Sequence, residues 1–130
     1  MNILIVDDHA ELLSGIKLLL EEVREVACVD TALTGRDALE MTARNRYDLV
    51  ILDISLPDAD GLSLVPRIRN SAHHPKVLIL SGFSEDEYVR QAFRAGASGY
   101  LMKSRINKEL NRAIQKTAAG KTYLKPFISS

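Results

Sequence analysis

Asp48-Leu49-Val50-Ile51-Leu52-Asp53 is an acid, four aliphatic residues and a second acid. The run does not alternate polar with apolar. Short continuous runs rich in β-branched residues are the mark of strands covered on both faces. Four more such runs occur: Ile3-Leu4-Ile5-Val6, Val26-Ala27-Cys28-Val29, Val77-Leu78-Ile79-Leu80 and Gly99-Tyr100-Leu101-Met102.

The segments between them carry helical spacing. Leu12, Leu13, Ile16, Leu19, Leu20 and Val23 repeat at three and four. Ala38, Leu39, Met41 and Thr42 follow a cap at Thr34. Leu62, Leu64, Val65 and Ile68 form a third stripe, in which Pro66 predicts a kink or a short first segment. Tyr88, Val89, Ala92 and Phe93 form a fourth, opened by a Ser84/Glu87 capping box and ended by Gly96. Ile106, Leu110, Ala113, Ile114 and Thr117 form the fifth. Strictly alternating strands and helices specify an α/β domain: a doubly wound parallel sheet of five strands with five helices. The flavodoxin-like strand order 2-1-3-4-5 is the expectation.

A polar residue closes each strand. Asp7 and Asp8 follow the first, Asp30 the second, Asp53 the third, Ser81 the fourth and Lys103 the fifth. Open α/β sheets bind ligands outside the carboxyl ends of their strands, at the point where strand order reverses. Strands 1 and 3 flank that point in the expected order, and strand 2 is an edge. Asp7, Asp8 and Asp53 should therefore converge, and Asp30 should stand aside. Carboxylates packed together repel unless a cation intervenes. Mg²⁺ fits, since it takes hard oxygen ligands and keeps several waters. A carboxylate can also attack phosphorus, and Lys103 and Ser81 can offer donors to phosphoryl oxygens. The set suits phosphate acceptance by an aspartate.

The chain has 130 residues, 46% hydrophobic, 26% charged and 5% aromatic, which fits one domain with an aliphatic core. Seventeen basic and 17 acidic residues give no net charge, so the chain as a whole lacks the basic surface that nucleic acid requires. Cys28, the one cysteine, allows no internal disulfide and is expected to be a buried thiol. The first apolar run stops at Asp7 and Asp8, unlike a signal peptide, and no run approaches the ~18 apolar residues of a membrane helix. A cytoplasmic chain without membrane contact is expected. Residues 1–120 are read as the domain, and 121–130 as the start of a linker.

The chain resembles the receiver domain of bacterial response regulators along almost its whole length. The resemblance rests on Val6-Asp7-Asp8-His9, Asp48-Leu49-Val50-Ile51-Leu52-Asp53, Leu56-Pro57-Asp58-Ala59-Asp60-Gly61, Leu80-Ser81-Gly82 and Ala95-Gly96-Ala97-Ser98-Gly99-Tyr100-Leu101-Met102-Lys103. Asp7-Asp8-His9, Gly99-Tyr100-Leu101-Met102-Lys103-Ser104 and Gly120-Lys121-Thr122-Tyr123-Leu124-Lys125-Pro126 look most like the NarL/FixJ-type subfamily, whose members usually carry a helix-turn-helix DNA-binding domain of the LuxR type after the receiver. The resemblance implies a phosphorylation switch in transcription regulation. Asp53 would take the phosphoryl group from a histidine kinase. Asp8 would bind Mg²⁺ directly, Asp7 directly or through water, and Asp53 and the Ser55 main-chain carbonyl would complete the protein ligands. Ser81 and Lys103 would contact the phosphoryl group, and Tyr100 would turn inward with Ser81. The surface of helix 4, strand 5 and helix 5 would then control homodimerisation or an output domain absent from this chain, which itself binds no DNA. The family lysine is often followed by proline, whereas Ser104 follows here, and Ser81 stands where threonine is common.

Other readings make different demands. A binding module that had lost phosphorylation need not keep these acids, hydroxyl and lysine. A flavin carrier needs a phosphate loop where this chain has Asp7 and Asp8. An aspartate-dependent phosphatase usually has a second Asp where Ser55 stands. The expected role is therefore a switch that catalyses only its own phosphorylation and dephosphorylation. His73 and His74, adjacent in a loop before Pro75, read as solvated residues. His9 reads as a modulator beside the acids, and Gly61 as a backbone requirement.

Overall fold

The computed structural model describes residues 1–83 and 86–124. Among them the order is β1 (Asn2–Val6), α1 (Ala10–Glu21), β2 (Cys28–Ala32), α2 (Gly35–Arg44), β3 (Leu49–Asp53), α3 (Gly61–Arg69), β4 (Lys76–Ser81), α4 (Asp86–Ala95), β5 (Gly99–Met102) and α5 (Ile106–Ala118), with a 3-10 turn at Lys103–Arg105 before α5. The five strands form one parallel sheet in the expected order, β2-β1-β3-β4-β5. None of the described helices is long and apolar enough to cross a membrane.

Side chains alternate across a strand, so each apolar run feeds both faces of the sheet. Leu4, Val6, Val50, Leu52, Val77 and Ile79 pack with α2, α3 and α4 through Ala38, Leu64, Val65, Ile68, Val89 and Ala92. Ile3, Ile5, Leu49, Ile51, Leu78, Leu80 and Leu101 pack with α1 and α5 through Leu13, Ile16, Leu20, Leu110 and Ile114. The two cores fix the sheet between its helices and hold the carboxyl ends of β1, β3, β4 and β5 along one rim.

Five expectations change. β2 begins at Cys28 rather than Val26, and as an edge strand it is only partly covered: Val29 and Ala32 are buried, one in each core, while Cys28 and Thr31 are exposed. Cys28 consequently lies exposed, not buried, and Asp30 sits within β2, opposite Leu4, rather than after it. α3 runs through Pro66 as a single nine-residue helix. Proline removes a helical donor, but Pro66 faces solvent while Leu64, Val65 and Ile68 anchor the opposite side. Fifth, residues 121–124 turn back onto the sheet, and Tyr123, read from sequence as linker, is buried and bridges Gly99. The Ser84 cap and residues 125–130 of the expected linker lie outside the described residues.

Thr34 caps α2 as expected, accepting from Asp37 N–H at 3.1 Å. Asp58, far along the chain, adds a second cap: its two carboxylate oxygens accept from Gly35 N–H at 2.9 Å and Arg36 N–H at 3.1 Å. Those bonds hold the Asp58 carboxyl below its ordinary range. They tie the loop after β3, which leads out of Asp53, to the start of α2.

Candidate functional site

Asp53 is the last residue of β3 and Asp7 the first after β1, and these strands are neighbours in the sheet. Both side chains are almost wholly buried, Asp7 at 0% and Asp53 at 2% exposure. Such burial of two acids needs compensation. Lys103, reaching over from the end of β5, provides it: its Nζ lies 3.0 Å from Asp7 Oδ2 and 3.2 Å from Asp53 Oδ2. The other oxygens are also engaged. Asp7 Oδ1 accepts from His9 N–H and lies 2.9 Å from His9 Nδ1, and Asp53 Oδ1 accepts from Ser55 N–H at 3.1 Å.

The two acids titrate in opposite directions. Burial pushes the Asp53 carboxyl up, and the neighbouring Asp7 charge adds to it. The Ser55 N–H and Lys103 pull it down without cancelling the rise. Burial also pushes Asp7 up, but the His9 main chain, the His9 ring and Lys103 hold it below its ordinary value. Lys103 loses some basicity to burial and regains more from the two carboxylates, so its ammonium is held above its ordinary range. The His9 imidazole is raised by its bond to Asp7 and by the Asp8 and Asp7 charges.

Asp8 completes the acidic cluster from the solvent side, 35% exposed, with its Oδ1 3.2 Å from His9 Nδ1. One ligand atom from each of Asp7, Asp8, His9 and Asp53 lies within 4.8 Å of the others. Three carboxylates, one of them facing water, match the preference of Mg²⁺ for hard oxygen donors and retained waters. The residues present therefore fit that ion. Ser55 is exposed on the loop after β3 and forms a bridge with Asp60.

Gly61 explains how that loop stays close. A Cβ there would fall 2.5 Å from the Asp53 carbonyl oxygen and 2.6 Å from Ile54 Cα. The requirement for glycine is therefore close backbone approach, and it lets α3 start directly against the end of β3.

Ser81 ends β4, next to Met102 of β5, and is fully buried. Its Oγ accepts from Phe83 N–H at 2.9 Å. Tyr100, also fully buried, donates its hydroxyl to the Phe83 carbonyl at 2.8 Å. Both expected switch side chains thus meet at the main chain of one residue, Phe83, Ser81 at its N–H and Tyr100 at its carbonyl. Nothing in the sequence points to this junction, because no side-chain chemistry marks it. Asp30 stands aside as expected and instead accepts from the Tyr47 hydroxyl at 2.6 Å. Burial and Asp30 push that phenol well above its ordinary range.

Comparisons with known proteins agree with this fold. Residues 3–115 match the family model described as response regulator receiver domain. The chain is 32% identical over 124 residues to the response regulator UvrY of Escherichia coli K12, covering 95% of this chain and 57% of that protein. It is 33% identical over 131 residues to the oxygen regulatory protein NreC of Staphylococcus carnosus, covering 100% of this chain and 60% of that protein. The chain thus spans under two-thirds of the curated relatives it matches. A crystal structure of a two-component response regulator of the LuxR family from Aurantimonas sp. SI85-9A1 superposes with a TM-score of 0.90 at 31% identity, covering 98% of this chain and 91% of that one.

Proposed function

This chain belongs to the response regulator receiver domain family of two-component systems, and from that premise we propose that Asp53 accepts a phosphoryl group from a histidine kinase. The observation that carries the proposal is the buried pair of Asp53 and Asp7 sharing the Lys103 ammonium, with Asp8 open to solvent beside them.

The Asp53 carboxylate attacks phosphorus, a new O–P bond forms, and the P–N bond to the donor imidazole breaks with its electrons returning to the ring. A phosphoryl group adds about −1.5 to −2 charge at that point. Lys103 is already aimed at Asp53 and offers its ammonium to the phosphoryl oxygens. Ser81 uses an oxygen lone pair on Phe83 N–H, so its hydroxyl proton stays free for donation. Mg²⁺ bound by Asp7, Asp8, Asp53 and the Ser55 carbonyl would neutralise charge on the transferring group. No outside substrate is turned over: the protein is a signalling switch that acts only on its own aspartyl group.

Phosphorylation biases an existing equilibrium. The arrangement found here has Tyr100 buried and bonded to Phe83, and drawing Ser81 towards the phosphate moves Phe83, the residue that Tyr100 holds. The surface of α4, β5 and α5 then alters homodimerisation or contact with a DNA-binding helix-turn-helix domain elsewhere in the protein. Such a switch would work in the cytoplasm. Beryllofluoride with Mg²⁺, a phosphoryl mimic, tests the site. It should raise the melting temperature of the wild type and leave Asp53→Ala unchanged; an equal rise in both would refute the assignment.

A further inference from the structure

The segment after α5 is built into the site's supporting frame. α5 closes with a Schellman motif: Gly120 N–H donates to Thr117 O at 3.1 Å and Lys121 N–H to Lys116 O at 2.9 Å. The chain then runs back along the outer edge of β5. Tyr123 N–H donates to Ser98 O at 3.1 Å, and Tyr100 N–H donates to Tyr123 O at 2.9 Å. Tyr123 thereby clasps the strand on both sides of Gly99. The absent side chain of Gly99 makes room, since a Cβ there would meet Thr117 Oγ1 at 2.6 Å and Tyr123 Cβ at 3.4 Å.

The Tyr123 side chain reaches the other arm of the site. It is 2% exposed, and its hydroxyl donates to the Glu109 carboxylate. Glu109 also accepts from Arg105 Nε. Arg105 is the last residue of the 3-10 turn whose first residue is Lys103. That turn has no side-chain cap of its own, so the Arg105–Glu109–Tyr123 chain is what braces it from the α5 side. Burial, then Glu109, pushes the phenol up to about 12, so it remains a donor at neutral pH. Donation to a carboxylate is among the stronger hydrogen bonds.

We propose that Tyr123 is a positioning residue for the phosphate site: it holds the strand of Tyr100 through its main chain and the turn of Lys103 through Glu109 and Arg105. This rests on the reading of Asp53 as phosphoryl acceptor. Residues 121–124 are then part of the switch rather than a spacer. Coupling is reciprocal, so a phosphoryl group at Asp53 acts on Tyr123 as much as Tyr123 acts on the site.

The test uses the 130-residue chain with beryllofluoride at saturating Mg²⁺, well below the melting temperature. Tyr123→Phe keeps the ring and removes the hydroxyl. It should weaken beryllofluoride binding by about three- to tenfold, a share of what a hydrogen bond to a charged group contributes. Val29→Ala, a core truncation on the far edge strand, controls for lost stability and should bind as the wild type does. In the wild type, beryllofluoride should slow hydrogen exchange at the Tyr100 and Tyr123 amides. Unchanged affinity in Tyr123→Phe, equal weakening by Val29→Ala, or unchanged exchange at both amides would each overturn the inference. If the wild type fails to bind, or Asp53→Ala binds equally well, the phosphoacceptor reading itself falls and takes this one with it.

Discussion

Asp7 and Asp53 share one ammonium, yet the protein holds their carboxyls on opposite sides of the ordinary range. The consequences for stability differ in sign. Asp7 has a depressed folded pKa, so its contribution is present above the unfolded value of 3.8 and is lost as pH falls through the lower folded value. Asp53 is raised, so its ionised form costs stability at neutral pH, and the cost is relieved as pH falls through the folded value. Asp53→Asn should therefore melt a few degrees above the wild type at pH 7 by calorimetry, and the gap should close as the medium is acidified. A variant that melts lower at pH 7 would show that the acid stabilises the fold. Asp7, Asp53 and Lys103 were legible in the sequence because each ends or follows an apolar run. The Tyr47–Asp30 bond was not, since nothing local in either residue's surroundings announces the other.

At the scale of elements, the loop from β3 to α3 carries the most constraint. Asp58 reaches from it to cap α2, and Gly61 lets α3 begin against the backbone of Asp53 and Ile54. Gly61→Ala forces a Cβ into backbone rather than into a yielding side chain. It should cost about 3 kcal/mol, in the range of overpacked cores, seen as a lower urea midpoint with an unchanged slope. A midpoint equal to the wild type's would mean that the loop can move aside freely. The sequence pointed to Gly61 but not to the reason, because close approach is a relation between elements. The start of β2 was misread for a similar cause: Val26-Ala27-Cys28-Val29 is apolar, but an edge strand has a neighbouring strand on one side only, and in β2 just Val29 and Ala32 are buried. Pro66 suggested a kink or a short first segment in α3, and with the opposite face packed in the core the helix runs on through it.

For the whole molecule, a parallel sheet with helices on both faces followed from alternating strands and helices, its order was carried over from the flavodoxin-like fold, and the rim of polar residues then fell at the switch point. The end of the domain did not follow. A polar stretch after a helix-closing glycine reads as a linker, whereas Tyr123 finds a vacant edge of β5 and a carboxylate on α5. Long-range pairing of this kind leaves no periodic trace. Sheet, loops and returning segment together hold a buried carboxylate beside one lysine and two further acids, and the central claim is that this carboxylate takes phosphate. Incubation with acetyl phosphate and Mg²⁺, followed by intact-mass and peptide mass spectrometry, tests it most directly. A single phosphoryl group on Asp53, labile to base and to hydroxylamine as an acyl phosphate is, absent without Mg²⁺ and absent from Asp53→Ala, is the predicted result. A phosphoryl group on another residue, or none on the wild type, would contradict it.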